Sequence, residues 1–240
     1  MNKKRLITAL LLVAPITTSA AVISVYSNDF DSGPVIAPGV TASWTTPGAS
    51  LQSVQGYTAA GFSGNFLSSY NIGPTAGANL ATLTLNNLPA HDSISIGGLL
   101  AIIDSWDSTN GSPAPDFLSI AVDGTSVFQD TYNNASGSNN NLLGLSDING
   151  GKVARGFTGW LDQAFNLIDS PLTAIPHTAS SIQIAIAGNG AGWQGGSDEA
   201  WGIENFSLSV NTTTVPEPES LALFSLGLLG LGFSYRKQKV

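Results

Sequence analysis

The sequence predicts an all-β protein, a β-sandwich flanked by an N-terminal signal peptide and a C-terminal transmembrane helix. Three observations carry that prediction. Short runs of alternating apolar and polar residues recur through residues 22–214, separated by clusters of Gly, Pro, Ser, Asn and Asp, which is the pattern of strands and turns. No helical periodicity longer than about a turn precedes the tail, and no internal repeat is visible. Both ends of the chain are apolar segments with cations beside them, the layout of export and membrane signals.

The first element is the signal peptide, residues 1–21. Lys3, Lys4 and Arg5 precede a largely apolar run from Leu6 to Ile16, and Thr18-Ser19-Ala20-Ala21 supplies the small residues that signal peptidase requires. The body, 22–214, has the size of one β-rich domain. It opens with the strand-like Val22–Tyr26, followed by the polar turn Asn28-Asp29-Phe30-Asp31-Ser32-Gly33. A Gly-, Pro-, Ser- and Thr-rich region runs on to Asn79, with Trp44, Tyr57, Phe62, Phe66 and Tyr70 as isolated anchors. Alternation returns at Asn79–Leu85. Ser93–Ile96 alternates into Gly97-Gly98 and the dense apolar Leu99–Ile103, which reads as a strand with a bulge or bend that becomes deeply buried. Phe117–Val122 and Ser126–Tyr132 are joined by Asp123-Gly124, a hairpin signal. Trp160–Ile168, Ser181–Ala187 and a last strand within Asp198–Leu208 complete the set.

The tail, 215–240, begins Val-Pro-Glu-Pro-Glu, continues as an apolar segment from Ser220 to Tyr235, and ends with the basic cluster Arg236, Lys237 and Lys239. As a helix the segment would reach roughly 24 Å, short of the roughly 30 Å hydrocarbon core, so it spans only by thinning the bilayer or letting its flanks snorkel. Gly227, Gly230 and Gly232 allow a partner helix to approach closely. The cations after the helix stay cytoplasmic and orient the body outward. Pro216, Glu217 and Pro218 followed by helix and cations resemble the PEP-CTERM sorting signal of bacterial exported proteins. That resemblance implies recognition by an exosortase, cleavage near the tripeptide, membrane anchoring before processing, and a cell-surface or extracellular destination afterwards.

Composition narrows the function of the body. Three of the eight Lys and Arg lie in the signal peptide and three follow the tail helix, leaving Lys152 and Arg155; two of the sixteen acids are in the tail, leaving fourteen, so the body carries −12. Such a surface repels nucleic acid and anionic lipid. Carboxylates lacking cationic partners must face water, accept backbone hydrogen bonds or hold a metal ion. The chain has no cysteine, so no disulfide supports the fold.

The Asn28–Gly33 turn and the last strand, Trp201-Gly202-Ile203-Glu204-Asn205-Phe206, resemble the ends of jelly-roll modules of the galactose-binding-like and carbohydrate-binding-module type. The resemblance implies a jelly-roll-like sandwich with a structural calcium, and carries over Asp31, Glu204 and Asn205 as its ligands. Glu-Asn stands here where Asp-Asp or Asp-Asn is commoner. Period two puts Glu204 in phase with Phe206, Leu208 and Val210, on the apparent core face; the alternative is a carboxylate at a frayed strand edge, bonded to backbone amides. Asp104, Asp107 and Asn110 form a second oxygen-rich group without the spacing of an EF-hand loop, and such residues more often cap turns.

For sugar binding, Trp106 and Trp193 are the candidate ligand-binding aromatics, because both lie in turn-rich segments among polar residues; the alternative is that each plugs an end of the sandwich. Trp44 and Trp160 are assigned to the core. Enzyme signatures are lacking: His91 and His177 accompany no metal motif, there is no G-x-S-x-G elbow, and none of the fourteen acids stands out as a glycosidase pair. The sequence therefore points to a non-catalytic module associated with extracellular polysaccharide. A passive matrix or adhesion protein is the alternative, and a glycosidase or lyase a more remote one.

Overall fold

The computed structural model describes residues 21–72, 80–135, 141–148, 151–157 and 159–212. The signal-peptide residues 1–20, the sorting tripeptide, the 220–235 segment and the basic cluster lie outside the described residues. Val22–Thr212 forms one compact unit. Among the described residues no helix is long and apolar enough to cross a membrane.

The described strands are β1 (Ala21–Asn28), β2 (Val35–Ile36), β3 (Thr41–Thr45), β4 (Ser50–Ser53), β5 (Asn65–Ser68), β6 (Ala81–Asn86), β7 (Ser93–Asp104), β8 (Phe117–Val122), β9 (Thr125–Asp130), β10 (Gln163–Asn166), β11 (Ile175–Pro176), β12 (Ser181–Asn189) and β13 (Glu199–Thr212). They form two antiparallel sheets. The larger runs β10-β7-β13-β1-β2, with β11 added to β7 and the β4–β5 pair added to β13; the smaller runs β3-β6-β12-β8-β9. The fold is thus the all-β sandwich the alternation predicts. The Asp123-Gly124 hairpin also forms, with positive φ at both central residues (49° and 80°), as a type I′ turn requires.

Between the sheets lies the main core, in which Leu83, Leu85, Ile120, Ile184 and Ile186 of the smaller sheet meet Ile94, Ile96, Leu100, Ile102, Ile203 and Phe206 of the larger. A second core covers the outer face of the larger sheet: Ala101, Ile103, Ala164 and Ala200 pack against Tyr57, Phe62, Phe66, Tyr70 and Phe157. This second layer explains Leu99–Ile103, since a strand buried on both faces reads as an unbroken apolar run. It also accounts for the anchors between residues 50 and 72. Their segment folds as the 3₁₀ turn Gln55–Ala60 and the β4–β5 pair, and Tyr57 donates a 2.9 Å hydrogen bond to the Ile102 carbonyl.

Gly98 marks the bend expected in β7, but the extra residue belongs to β13. Glu204 pairs with Leu99 and Ser207 with Gly97, so Asn205 and Phe206 together oppose Gly98. Gly98 has φ of 154° and Asn205 has φ of 50°. A bulge of this kind reverses the faces of all residues beyond it. Trp201 and Ile203 therefore share the main core with Phe206, Leu208 and Val210, while Glu204 falls on the opposite face. The phase assigned to Glu204 from period two is corrected accordingly.

Candidate functional site

β7 runs outward to Asp104, which pairs with Glu199 at the start of β13, and β10 begins beside it at Gln163, opposite Ile102. One end of the sandwich is therefore built from four segments: the β7–β8 loop, the segment after β9 that reaches Ala135, the turn before β10, and the glycine-rich turn before β13. They enclose a cleft of about 390 Å³ whose lining includes Ser105, Asp107, Ser112, Trp160, Gln194 and Asp198.

The β7–β8 loop is shaped by backbone contacts and two residues in the left-handed region, Asp104 (φ 63°) and Ser108 (φ 62°). The Gly111 amide donates to the Asp107 carbonyl at 2.9 Å, and the Asp116 amide to the Ser108 carbonyl at 2.9 Å. This folding brings one carboxylate oxygen each of Asp107, Asp116 and Glu199 within 4.8 Å of one another. Asp116 and Glu199 are fully buried and Asp107 is half-buried. One oxygen of each buried acid is satisfied: Asp116 Oδ2 accepts from the Asp107 amide at 2.8 Å and Glu199 Oε2 from the Gln194 amide at 2.6 Å. The others, Asp116 Oδ1 and Glu199 Oε1, are buried with no donor. Burial pushes all three carboxyls above their ordinary range; the charge of Asp116 pushes Glu199 further up, and Asp198 raises Asp107. The donor set is oxygen alone, which suits a hard cation such as calcium.

Asp31, Glu204 and Asn205, the ligands carried over from the resemblance, are disposed differently. Glu204 is fully buried but accepts from the Ser63 amide with both oxygens at 3.0 Å and from the Ser63 hydroxyl at 3.0 Å. Asp31 Oδ1 accepts from the Asn65 amide and side chain, both at 2.9 Å. Asn205 is exposed and borders a pocket of about 140 Å³ with Asn28, Asp29 and Ser32. Burial, and less so the charges of Asp31 and Asp29, raise Glu204, opposed by the Ser63 donors. Glu204 is bonded to a backbone amide, as the alternative has it, but it lies buried within β13 and paired with Leu99 rather than at a frayed strand edge. A carboxylate so supplied needs no ion to be satisfied.

The aromatic assignments also change. Trp106 is fully buried; its Nε1 donates to the Ala200 carbonyl at 2.9 Å, and its ring meets Tyr132 and Trp193 edge-on, with centroids 5.8 Å and 4.8 Å away. It is a plug, not a stacking platform. Trp193 is half-buried and packs against the main core, with its ring atoms where a side chain at Gly188 would sit; it is not part of the cleft lining. Trp160, assigned to the core from sequence, is 49 % exposed and lines the cleft. It precedes β10 because Gly159 (φ 81°) turns the chain there and pairing with β7 starts only at Gln163. The Gly-Phe-Thr-Gly run before Trp160 is the signal that could have placed it in a turn. Trp44 is half-buried, donating from Nε1 to the Tyr26 hydroxyl at 2.7 Å.

The two histidines stack on each other, with ring planes 14° apart and a 2.7 Å contact between His91 Nε2 and His177 Nδ1. They sit beside the Ser93 end of the twelve-residue β7, away from the cleft at its Asp104 end.

No curated protein matches the chain in sequence. Among solved structures, the chain is similar to TmCBM61 in complex with β-1,4-galactotriose, with 9 % identity over 71 % of this chain and 88 % of that one, TM-score 0.29. It is also similar to a family 35 carbohydrate binding module from Clostridium thermocellum, with 12 % identity over 79 % and 97 %, TM-score 0.29. A third is dimeric latent PorU from Porphyromonas gingivalis, with 11 % identity over 82 % of this chain and 14 % of that one, TM-score 0.32. At its C-terminus the chain carries a PEP-CTERM protein-sorting motif, matched over residues 214–237.

Proposed function

We propose that the protein is exported, sorted by an exosortase through its PEP-CTERM tail, and displayed at the cell surface or released, where its cleft binds extracellular polysaccharide without transforming it. The observation that carries the binding reading is the cleft itself. It places one exposed indole, Trp160, among the hydroxyl, carboxamide and carboxylate groups of Ser105, Ser112, Gln194 and Asp198. An aromatic face beside hydrogen-bonding groups suits a pyranose ring, which has an apolar face and a hydroxyl rim. The scarcity of cations in the body disfavours nucleic acid and acidic polymers as partners.

Trp160→Ala is expected to weaken retention on the recognised glycan by about tenfold or more, equivalent to about 1.4 kcal/mol, while leaving the melting temperature nearly unchanged, because the ring is exposed. Affinity electrophoresis against a panel of bacterial and plant polysaccharides measures the first effect and a thermal melt the second. Equal retention of wild type and variant would remove the cleft from the binding surface. No saturable binding to any glycan would favour the passive matrix reading. Sorting is tested separately: mass spectrometry of the mature extracellular protein is expected to find the peptide beyond Pro218 missing, and its presence would end the processing proposal.

A further inference from the structure

We propose that Asp107, Asp116 and Glu199 hold one hard divalent cation, calcium by preference, and that this ion ties the β7–β8 loop to the start of β13.

The argument begins with two oxygen atoms. Asp116 Oδ1 and Glu199 Oε1 are fully buried and have no hydrogen-bond donor, and buried polar atoms without partners are rare because each costs its full desolvation. They belong to two of three carboxyl groups that each bring one oxygen within 4.8 Å of the others. The donors present, the amides of Asp107 and Gln194, already serve the other oxygen of each buried acid. What remains is an oxygen-only cluster in which two buried acids each keep an oxygen without a donor. A cation satisfies all three groups at once; the competing solution is a proton shared between Asp116 and Glu199.

Oxygen-only donors exclude the softer metals that select thiolate or imidazole. Calcium is preferred over magnesium because it accepts irregular, mixed coordination, whereas magnesium demands a near-ideal octahedron. Asp107 borders the cleft as well as the triad, so an ion can enter from solvent and keep water on its open side. The three acids come from two separate stretches, Asp107 and Asp116 from the β7–β8 loop and Glu199 from the first residue of β13. Binding is therefore expected to lock the loop against the sheet, whatever the cleft recognises.

The test uses the full chain purified in a mild detergent, with calcium as the ligand and terbium as a luminescent substitute. Calcium at about 1 mM is expected to raise the melting temperature by about 5 °C or more over chelator, and calorimetric titration is expected to find one site. Trp106 and Trp193 beside the triad should sensitise bound terbium. Glu199→Gln and Asp116→Asn should each weaken binding tenfold or more and abolish the calcium shift. In chelator they should melt no lower than wild type, because each removes a like charge. If either fails to fold, Asp107→Asn, at the half-buried position, gives the same readout. Asp31→Asn should leave binding intact. Identical melting in calcium and chelator with no binding heat would favour the shared proton and overturn the proposal. Binding that survives the triad variants, or that disappears in Asp31→Asn, would overturn it too.

Discussion

Trp106→Ala is expected to destabilise the protein by about 3–5 kcal/mol, the range for removing a fully buried large aromatic, and to lower the melting temperature by about 6–20 °C. The ring is fully buried, wedged edge-on between Tyr132 and Trp193, so an alanine leaves a cavity that two rigid rings cannot close. The substitution also takes the indole donor from the Ala200 carbonyl, adding the cost of a buried acceptor without a partner. Trp106→Phe should cost less, because it keeps most of the volume and loses mainly the hydrogen bond. Thermal and urea melts separate the two terms. A Trp106→Ala variant that melts within a degree or two of wild type would show that the ring is not part of the core. The effect reaches the acidic cluster as well: Trp106 adjoins Asp107 and Ala200 adjoins Glu199, so the Trp106–Ala200 hydrogen bond holds two of the three carboxylates in register.

The contrast between Trp106 and Trp160 shows what was legible in the sequence. Alternation locates β6, β8, β12 and the Ser93–Ile96 start of β7 because each buries one face there, and the one-sided pattern is a local property. Whether an isolated Trp points inward depends on the turn that carries it. The turn around Trp106 is set by distant partners, the Ala200 carbonyl and Tyr132, which no local pattern reports. Glu204 failed for another reason. Period two carries its phase through Asn205, and the bulge opposite Gly98 inserts one residue there, which moves every earlier side chain of the strand to the other face. The acidic triad was half visible: Asp107 stood out in its oxygen-rich loop, but Asp116 and Glu199 join it only through the β7–β13 pairing and the return of the loop onto Ser108. A site assembled from residues 107, 116 and 199 has no spacing to recognise.

The second large effect is expected at Gly202. This residue sits on β13 between Ala101 of β7 and Ser68 of β5, on the outer face of the larger sheet, and its backbone lies within the φ range open to any residue. An alanine there would thus be tolerated by the backbone but not by its surroundings, since a Cβ would lie 2.1 Å from Phe66 Cε2. Phe66 has little freedom to yield: it is fully buried and meets Tyr57, Phe62 and Phe157 at centroid distances of 6.1, 6.3 and 5.9 Å. Overpacking of this kind costs about 1–3 kcal/mol, and a rigid aromatic neighbour places Gly202→Ala near the upper end, a fall of about 6–12 °C in melting temperature. Phe66→Leu is also destabilising alone, through lost packing, yet it removes the atoms that clash. In the double variant the two costs should therefore add to less than their sum, by about 1 kcal/mol or more. Strict additivity in that cycle would locate the cost in the β13 strand itself and show that the aromatic layer does not press on the sheet at this point.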